Sequence, residues 1–222
     1  MMFPDRIAAG RMLGERLVQF ANDKPLLVLA LPRGGVPVAY QVALALHAPL
    51  DVFLVRKLGF PGQEELAIGA IASGGTRLLI EGIIRGLHLP PEEVETITQQ
   101  ETRELERREH LYRGNRAALN IQGHTIILVD DGMATGSSMR VAVTALRQQD
   151  PRKIIVAIPV APSRICKQMQ READEVVCLS TPPDFYAVGE WYRHFSQVSD
   201  AEVGEWLDRA RNPRPLDEPP LS

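Results

Sequence analysis

Apolar residues along this chain arrange themselves in two ways. Over residues 5–21, Ile7, Met12, Leu13, Leu17, Val18 and Phe20 recur at mixed spacings of three and four, which predicts an amphipathic helix. From Pro25 the pattern becomes an unbroken apolar run to Leu31, halted by Pro32-Arg33-Gly34-Gly35. Such a run predicts a strand buried on both faces and ended by a glycine turn. Val38 to Leu46 supplies the apolar positions of a second helix, and Leu50-Asp51-Val52-Phe53-Leu54-Val55 a second buried strand. The same order returns later: Thr125 to Val129 stops at Asp130-Asp131, a helix is expected over Ser138 to Gln148, and Lys153 to Ile158 forms a third buried strand. A helix over Ser163 to Ala173, a short strand over Glu175 to Leu179 and a last helix over Asp200 to Ala210 complete the series. Fully apolar strands separated by helices predict an α/β fold, a doubly wound, mostly parallel sheet with flanking helices.

The middle of the chain breaks this rhythm. Glu65 to Ile71 and Arg77 to Ile80, separated by Ser73-Gly74-Gly75-Thr76, predict a hairpin. Pro90-Pro91 opens a charged helix running to about Arg113, with Glu104/Arg108 and Glu109/Arg113 in the favourable i,i+4 order. Its apolar stripe of Val94, Ile97, Leu105 and Leu111 is sparse, so it reads as a solvated flank helix, with a partner or dimer helix as the alternative. An aromatic segment runs from Phe185 to Phe195. The organisation expected is one domain over 1–211, its core at about 22–180, with a small hood and termini from 1–21 and 181–211. The tail 212–222 carries too much proline to order itself.

Composition narrows the class without changing the fold. Of 222 residues, 45% are hydrophobic and 24% charged, ordinary globular values that exclude collagen-like, disordered and membrane-spanning chains. The apolar runs fall far short of the roughly 18 residues a bilayer-spanning helix needs, and the Asp5-Arg6 start has no basic-then-apolar signal pattern. A cytoplasmic protein without a membrane partner is expected. A net charge of -3 argues against a broad nucleic-acid footprint, so the expected partners are small molecules. Cys166 and Cys178 lack CxxC spacing and read as reduced core thiols. The histidines form no HxH or HExxH spacing, and His194 is at most a candidate base.

The densest chemistry lies in Ile126-Ile127-Leu128-Val129-Asp130-Asp131-Gly132-Met133-Ala134-Thr135-Gly136-Ser137-Ser138. A buried strand delivers two adjacent carboxylates at its carboxyl end, where open α/β sheets bind ligands. Small residues with free amides and hydroxyls then lead into a helix N-terminus, an arrangement suited to phosphate. Two carboxylates beside a phosphate site make sense facing neutral hydroxyls, a divalent cation, or both. A Walker A loop would need Gly-Lys-Ser/Thr, and a dinucleotide fold would need G-x-G-x-x-G; neither is present. The competing reading, an acidic strand end whose Ser or Thr caps a helix, calls for one capping residue and leaves the doubled aspartate unexplained.

This string resembles the PRPP motif of the type I phosphoribosyltransferases, PRPP being 5-phosphoribosyl 1-pyrophosphate. Arg33-Gly34-Gly35, Arg56-Lys57-Leu58-Gly59, Glu65-Leu66-Ala67-Ile68-Gly69-Ala70 and Ala187-Val188-Gly189-Glu190-Trp191-Tyr192 extend the likeness to a subgroup of predicted phosphoribosyltransferases. The resemblance implies Mg2+-dependent transfer of the phosphoribosyl group to a nitrogenous acceptor with release of pyrophosphate. Asp130 and Asp131 would bind the ribose hydroxyls, directly or through Mg2+, and Ala134, Thr135, Gly136, Ser137 and Ser138 would cradle the 5′-phosphate. Arg33, Gly34, Gly35 and Lys57 would hold pyrophosphate, with Arg56 and Lys57 at the foot of a flexible catalytic loop beginning at Leu58. The family often has a non-proline cis peptide in its pyrophosphate loop, here the Pro32-Arg33 bond. Many relatives dimerise, so a homodimer is expected. Gly132 stands where nucleobase enzymes usually carry an apolar residue, and no segment matches their acceptor-recognition hoods. Tyr186, Trp191 and Tyr192 offer faces on which an acceptor could stack, core packing being the alternative. A PRPP-binding regulator without turnover, and a hydrolase or phosphorylase acting on a phosphorylated ribose, remain open beside the transferase.

Overall fold

The computed structural model describes residues 1–60, 62–118 and 120–212. Five strands, β1 (Leu26–Ala30), β2 (Leu50–Val52), β6 (Thr125–Val129), β7 (Lys153–Val160) and β8 (Glu175–Ser180), form one sheet in the order β2-β1-β6-β7-β8. Every pairing in it is parallel. Side-chain alternation explains why these strands are apolar throughout. Val28, Ala30, Ile127, Val129, Ile155 and Ala157 face one core, and Leu27, Leu29, Ile126, Leu128, Ile154 and Val156 the other. The first core is covered by α2 (Gly35–Leu46), α4 (Pro91–Arg113) and α7 (Asp200–Arg211), with Leu13 and Leu17 of α1 (Arg6–Leu17). The second is covered by α5 (Ser137–Arg147) and α6 (Ser163–Met169). The doubly wound sheet read from the sequence is therefore present, with α5 displaced by one residue and α6 shorter than expected.

The middle segment departs further from expectation. Leu50 to Val55 is not one strand: β2 ends at Val52, and Val55 opens β3 (Val55–Phe60), which leaves the main sheet. With β4 (Gln63–Ala72) and β5 (Thr76–Leu79), β3 forms an antiparallel sheet whose β3–β4 register shifts around Gly59. The expected hairpin of Glu65 to Ile80 is its second half. The stretch expected to be a flexible loop from Leu58 instead begins inside β3, and its Pro61 lies outside the described residues. The short α3 (Glu81–Gly86) follows, and then α4, which packs on β3 and α7 through Val94, Leu105 and Tyr112. The charged helix is thus a flank helix with a real buried seam, and its Glu104/Arg108 and Glu109/Arg113 pairs form at 2.8 and 2.9 Å. Among the described residues, no helix is long and apolar enough to cross a membrane. Both cysteines are free, and residues 213–222 of the expected tail lie outside the described residues.

Candidate functional site

Strand order reverses between β1 and β6, the two neighbours at the centre of the sheet, so a crevice opens beyond their carboxyl ends. Two βα turns line it. The first, Leu31 to Gly34, joins β1 to α2, and its Pro32-Arg33 peptide is cis, the bond the family likeness singled out. The second, Asp130 to Gly136, joins β6 to α5 and carries the acidic pair.

The two turns touch. A side chain added at Gly34 would place its Cβ 2.0 Å from Asp131 Oδ2, and one at Gly35 would meet Val129 O at 2.8 Å and the Asp130 Cα at 2.9 Å. Only bare backbone fits there, so the glycine pair is a packing requirement of the acidic strand end. Arg33 is half-buried, and its guanidinium leans towards Asp200 at the start of α7, at 3.8 Å. Asp200 also accepts the Tyr112 hydroxyl at 2.5 Å, and burial with that bond pushes the Tyr112 phenol up to about 12.

The second turn is open where the first is closed. Ala134, Thr135 and Ser138 are exposed. Gly136 takes a left-handed conformation, with φ of 75°, as the N-cap of α5 and offers no side-chain cap, while the Thr135 hydroxyl accepts the Ser137 N–H at 3.4 Å. The competing reading, in which a Ser or Thr merely caps the helix, is left with this one long contact. The Thr135 and Ser137 hydroxyls lie 3.1 Å apart at the helix start, and the Met133 N–H is spent on Val160 O. Gly132 lies against Val188, whose methyl a Cβ there would meet at 2.5 Å.

The acids differ sharply in their surroundings. Asp131 pairs with Arg6 at 2.8 Å, with both side chains mostly buried, and its carbonyl accepts the Tyr192 hydroxyl at 2.5 Å. Asp130 accepts the Asp131 N–H at 2.8 Å and has no ion pair among the described residues. It lies deep in the fold yet keeps some solvent contact. Burial, and then the neighbouring Asp131, push its carboxyl well above the usual range. Burial also raises Asp131, with Arg6 opposing the rise. Among the described residues, no cluster of three or more His, Cys, Asp or Glu could hold a metal unaided. The donor set is these two carboxylates, which suits a hard cation completed by water and ligand oxygens.

Arg56 and Lys57 do not act as a pair. They are neighbours on β3, so their side chains leave opposite faces. Arg56 turns to α4, where it pairs with Glu101 and lies 3.9 Å from Glu104. Lys57 is exposed on the other face, which it shares with Val55, itself packed against the α5 side of the core. Arg56, expected at a catalytic loop foot, is therefore a strand residue neutralised by helix carboxylates.

The aromatic segment sorts in the same manner. Tyr192 is 5% exposed, packs on Phe3 and Phe195 and uses its hydroxyl on Asp131, so it is a packing residue and not an open stacking wall. Trp191 stacks against Phe185, with its indole N–H buried and unpartnered. Tyr186 is exposed. Sequence reasoning missed Arg6 altogether. The available signal was electrostatic: a cation in the first turn of a helix opposes the helix dipole and calls for an outside partner.

Residues 5–195 match the family described as the phosphoribosyl transferase domain. The chain belongs to that family. It is 46% identical over 209 residues to a Mycobacterium tuberculosis protein, known from two strains and provisionally named a phosphoribosyl transferase. The match takes in 94% of the chain and 47% of the relative, so the chain spans about half the length of the curated relatives it matches. It is also similar to the crystal structure of the protein TT1426 from Thermus thermophilus, with 40% identity and a TM-score of 0.82 over 93% of this chain and 98% of that one.

Proposed function

We propose that this phosphoribosyl transferase domain binds PRPP with Mg2+ and transfers the phosphoribosyl group to a nitrogenous acceptor, releasing pyrophosphate. The observation that carries the reading is the seating of the Gly34-Gly35 turn directly on the Asp130-Asp131 strand end. One ligand can then meet a close-approach backbone turn, an acidic pair and a helix start with a glycine N-cap within a single crevice. In this reading, the amides and hydroxyls from Ala134 to Ser138 hold the 5′-phosphate at the α5 N-terminus. Asp130 and Asp131 accept from the ribose hydroxyls and would hold Mg2+, directly or through its waters. When bound, the ion supplies positive charge for the oxygens of the leaving group. Backbone at Arg33 to Gly35, with Lys57 from β3, holds the pyrophosphate.

The bond between C1 and the pyrophosphate oxygen breaks with its electron pair on pyrophosphate, the acceptor nitrogen's lone pair forms the new bond to C1, and the nitrogen's proton leaves to water. No protein nucleophile is required. This chain's residues hold the sugar in place and place charge where the leaving group develops it. Tyr186 and Trp191 remain the residues proposed to face an acceptor. Homodimerisation and cytoplasmic location belong to the same proposal, the first read by sedimentation velocity and the second by cell fractionation.

Calorimetry tests the donor half. Replacing Asp130 and Asp131 together with Asn removes Mg2+-dependent PRPP binding, and unchanged affinity overturns the assignment. A screen of nucleobases, amines and water with PRPP and Mg2+, read as pyrophosphate release, tests the transfer. Release with water alone identifies a hydrolase, and binding without release under any condition identifies a regulator.

A further inference from the structure

Arg6 stands at the first position of α1, where Asp5 already caps the helix at 2.7 Å and a cation gains nothing from the dipole. It is nonetheless 9% exposed. Its Nε donates to Asp131 Oδ2 at 2.8 Å, its Nη1 donates to the Ser196 carbonyl at 2.8 Å, and its guanidinium lies 3.8 Å from the centre of the Phe195 ring. Phe195 in turn stacks on Tyr192, whose hydroxyl donates to the Asp131 carbonyl. The N-terminal strip is laced to the same segment through backbone: Phe3 N to Trp191 O at 2.8 Å, Arg193 N to Phe3 O at 2.9 Å and His194 N to Pro4 O at 3.0 Å. The Asp131 carboxylate meanwhile lies against bare Gly34. Three segments far apart in sequence therefore meet around Asp131: the start of α1 and the 31–34 turn at its carboxylate, and residues 191–196 at its backbone carbonyl and at Arg6.

We infer that Arg6 is a positioning residue for the reaction proposed above: through Asp131 it fixes the 31–34 turn and the aromatic segment as one rigid rim over the donor site. The inference rests on that reading of the crevice. One Asp131 oxygen is given over to Arg6 and the backbone at Gly34, which leaves Oδ1 as the oxygen that faces a ligand. Arg6 thus sets the direction in which Asp131 presents it. A guanidinium suits the task because its fork reaches two acceptors while its plane rests on a ring, which an ammonium cannot do at once. The phosphate cradle at Thr135 to Ser138 shares no hydrogen bond or ion pair with Arg6 among the described residues, so the effect of losing Arg6 falls mainly on one end of the donor.

The test uses the whole chain as wild type, Arg6→Gln and Arg6→Lys. Calorimetry measures PRPP with Mg2+ and pyrophosphate with Mg2+, inorganic phosphate is titrated by NMR as a probe of the cradle, and hydrogen exchange follows residues 31–35 and 189–196 without ligand. Arg6→Gln weakens both Mg2+-dependent ligands by about tenfold or more, the scale of removing an outer-shell partner. It leaves inorganic phosphate within about twofold and speeds exchange in both segments, and Arg6→Lys restores at least half of the lost affinity on a logarithmic scale. Arg6→Gln binding pyrophosphate as the wild type does, or losing inorganic phosphate equally, overturns the inference. So does unchanged exchange in the two segments, a result that requires no ligand at all. If Arg6→Gln does not fold, Arg6→Lys decides by the same measurements, with faster exchange in 189–196 and pyrophosphate binding weakened more than phosphate binding. A wild-type chain that binds neither Mg2+-dependent ligand defeats the PRPP reading itself, while the exchange result still reports whether Arg6 joins the rim.

Discussion

The two turns at the centre of the sheet begin alike and end differently. Each leaves a buried parallel strand, and each enters a helix whose N-cap is a glycine. The 31–34 turn is short and pressed onto its neighbour, with Gly34 against a carboxylate. The 130–136 turn is longer and solvent-facing at Ala134 and Thr135, and it enters its helix through a left-handed glycine. Gly34 of the first turn has no room for a Cβ against Asp131, whereas Gly136, where the second turn enters its helix, is constrained chiefly by its left-handed backbone. A crevice with one closely packed wall and one wall of exposed backbone and hydroxyls suits a ligand whose two ends carry different phosphate groups.

The sharpest way to break this contrast is Gly34→Ala. Its Cβ would fall 2.0 Å from Asp131 Oδ2 and 2.7 Å from Asp131 Cγ, and Asp131 cannot swing away without leaving Arg6. Overpacking of this kind costs about 3 kcal/mol, so urea denaturation is expected to show an unfolding free energy lowered by about that amount, together with loss of Mg2+-dependent PRPP binding. Gly136→Ala has a smaller expected effect. Its nearest neighbour is the buried Ile165 side chain, with Cγ2 at 3.0 Å rather than 2.0 Å, so a shift of a few tenths of an ångström accommodates the new methyl, and the left-handed backbone adds about 1–2 kcal/mol. Equal costs at the two glycines would remove the distinction between a closed and an open turn.

A further expectation sharpens the boundary of the site. Lys57→Ala should weaken PRPP binding by about tenfold, roughly 1.4 kcal/mol, and leave the unfolding midpoint where it was. Arg56→Ala should do the reverse: it loses a partly exposed pair with Glu101, about 1 kcal/mol of stability, with binding unchanged. If both variants lose binding, the two faces of β3 are not separated as the strand places them.

Legibility followed the physics of each segment. The parallel strands were plain because two buried faces demand unbroken apolar runs, and the acidic pair was plain because it interrupts one of them. The strand Val55 to Phe60 was hidden because its sequence, Val-Arg-Lys-Leu-Gly-Phe, is short, charged and contains the glycine at which its register shifts. Its strand state comes from pairing with β4 and packing under α4, neither of which leaves a local signature. Tyr192 looked like a stacking surface because composition cannot tell a wall from a core. The Arg6–Asp131 contact spans 125 positions, so no period or spacing could disclose it, and only the misplaced helix charge pointed to it.

The smallest expected effect on stability comes from the residue placed nearest the chemistry. Asp130 is a buried carboxylate without an ion pair among the described residues, beside a second carboxylate. Its charge is opposed by desolvation and by Asp131, and its structural bond, accepting the Asp131 N–H, is one that an amide oxygen also accepts. Asp130→Asn is therefore expected to leave unfolding free energy unchanged or raise it by about 1 kcal/mol, while Mg2+-dependent PRPP binding is lost. A site kept against its own folding interest behaves in this way. Asp131→Asn should instead lower stability, because it leaves the Arg6 guanidinium buried without its carboxylate. If Asp130→Asn destabilised the fold as Asp131→Asn does, both acids would be structural ties, and the division between a carboxylate that holds the rim and one that waits for a ligand would fail.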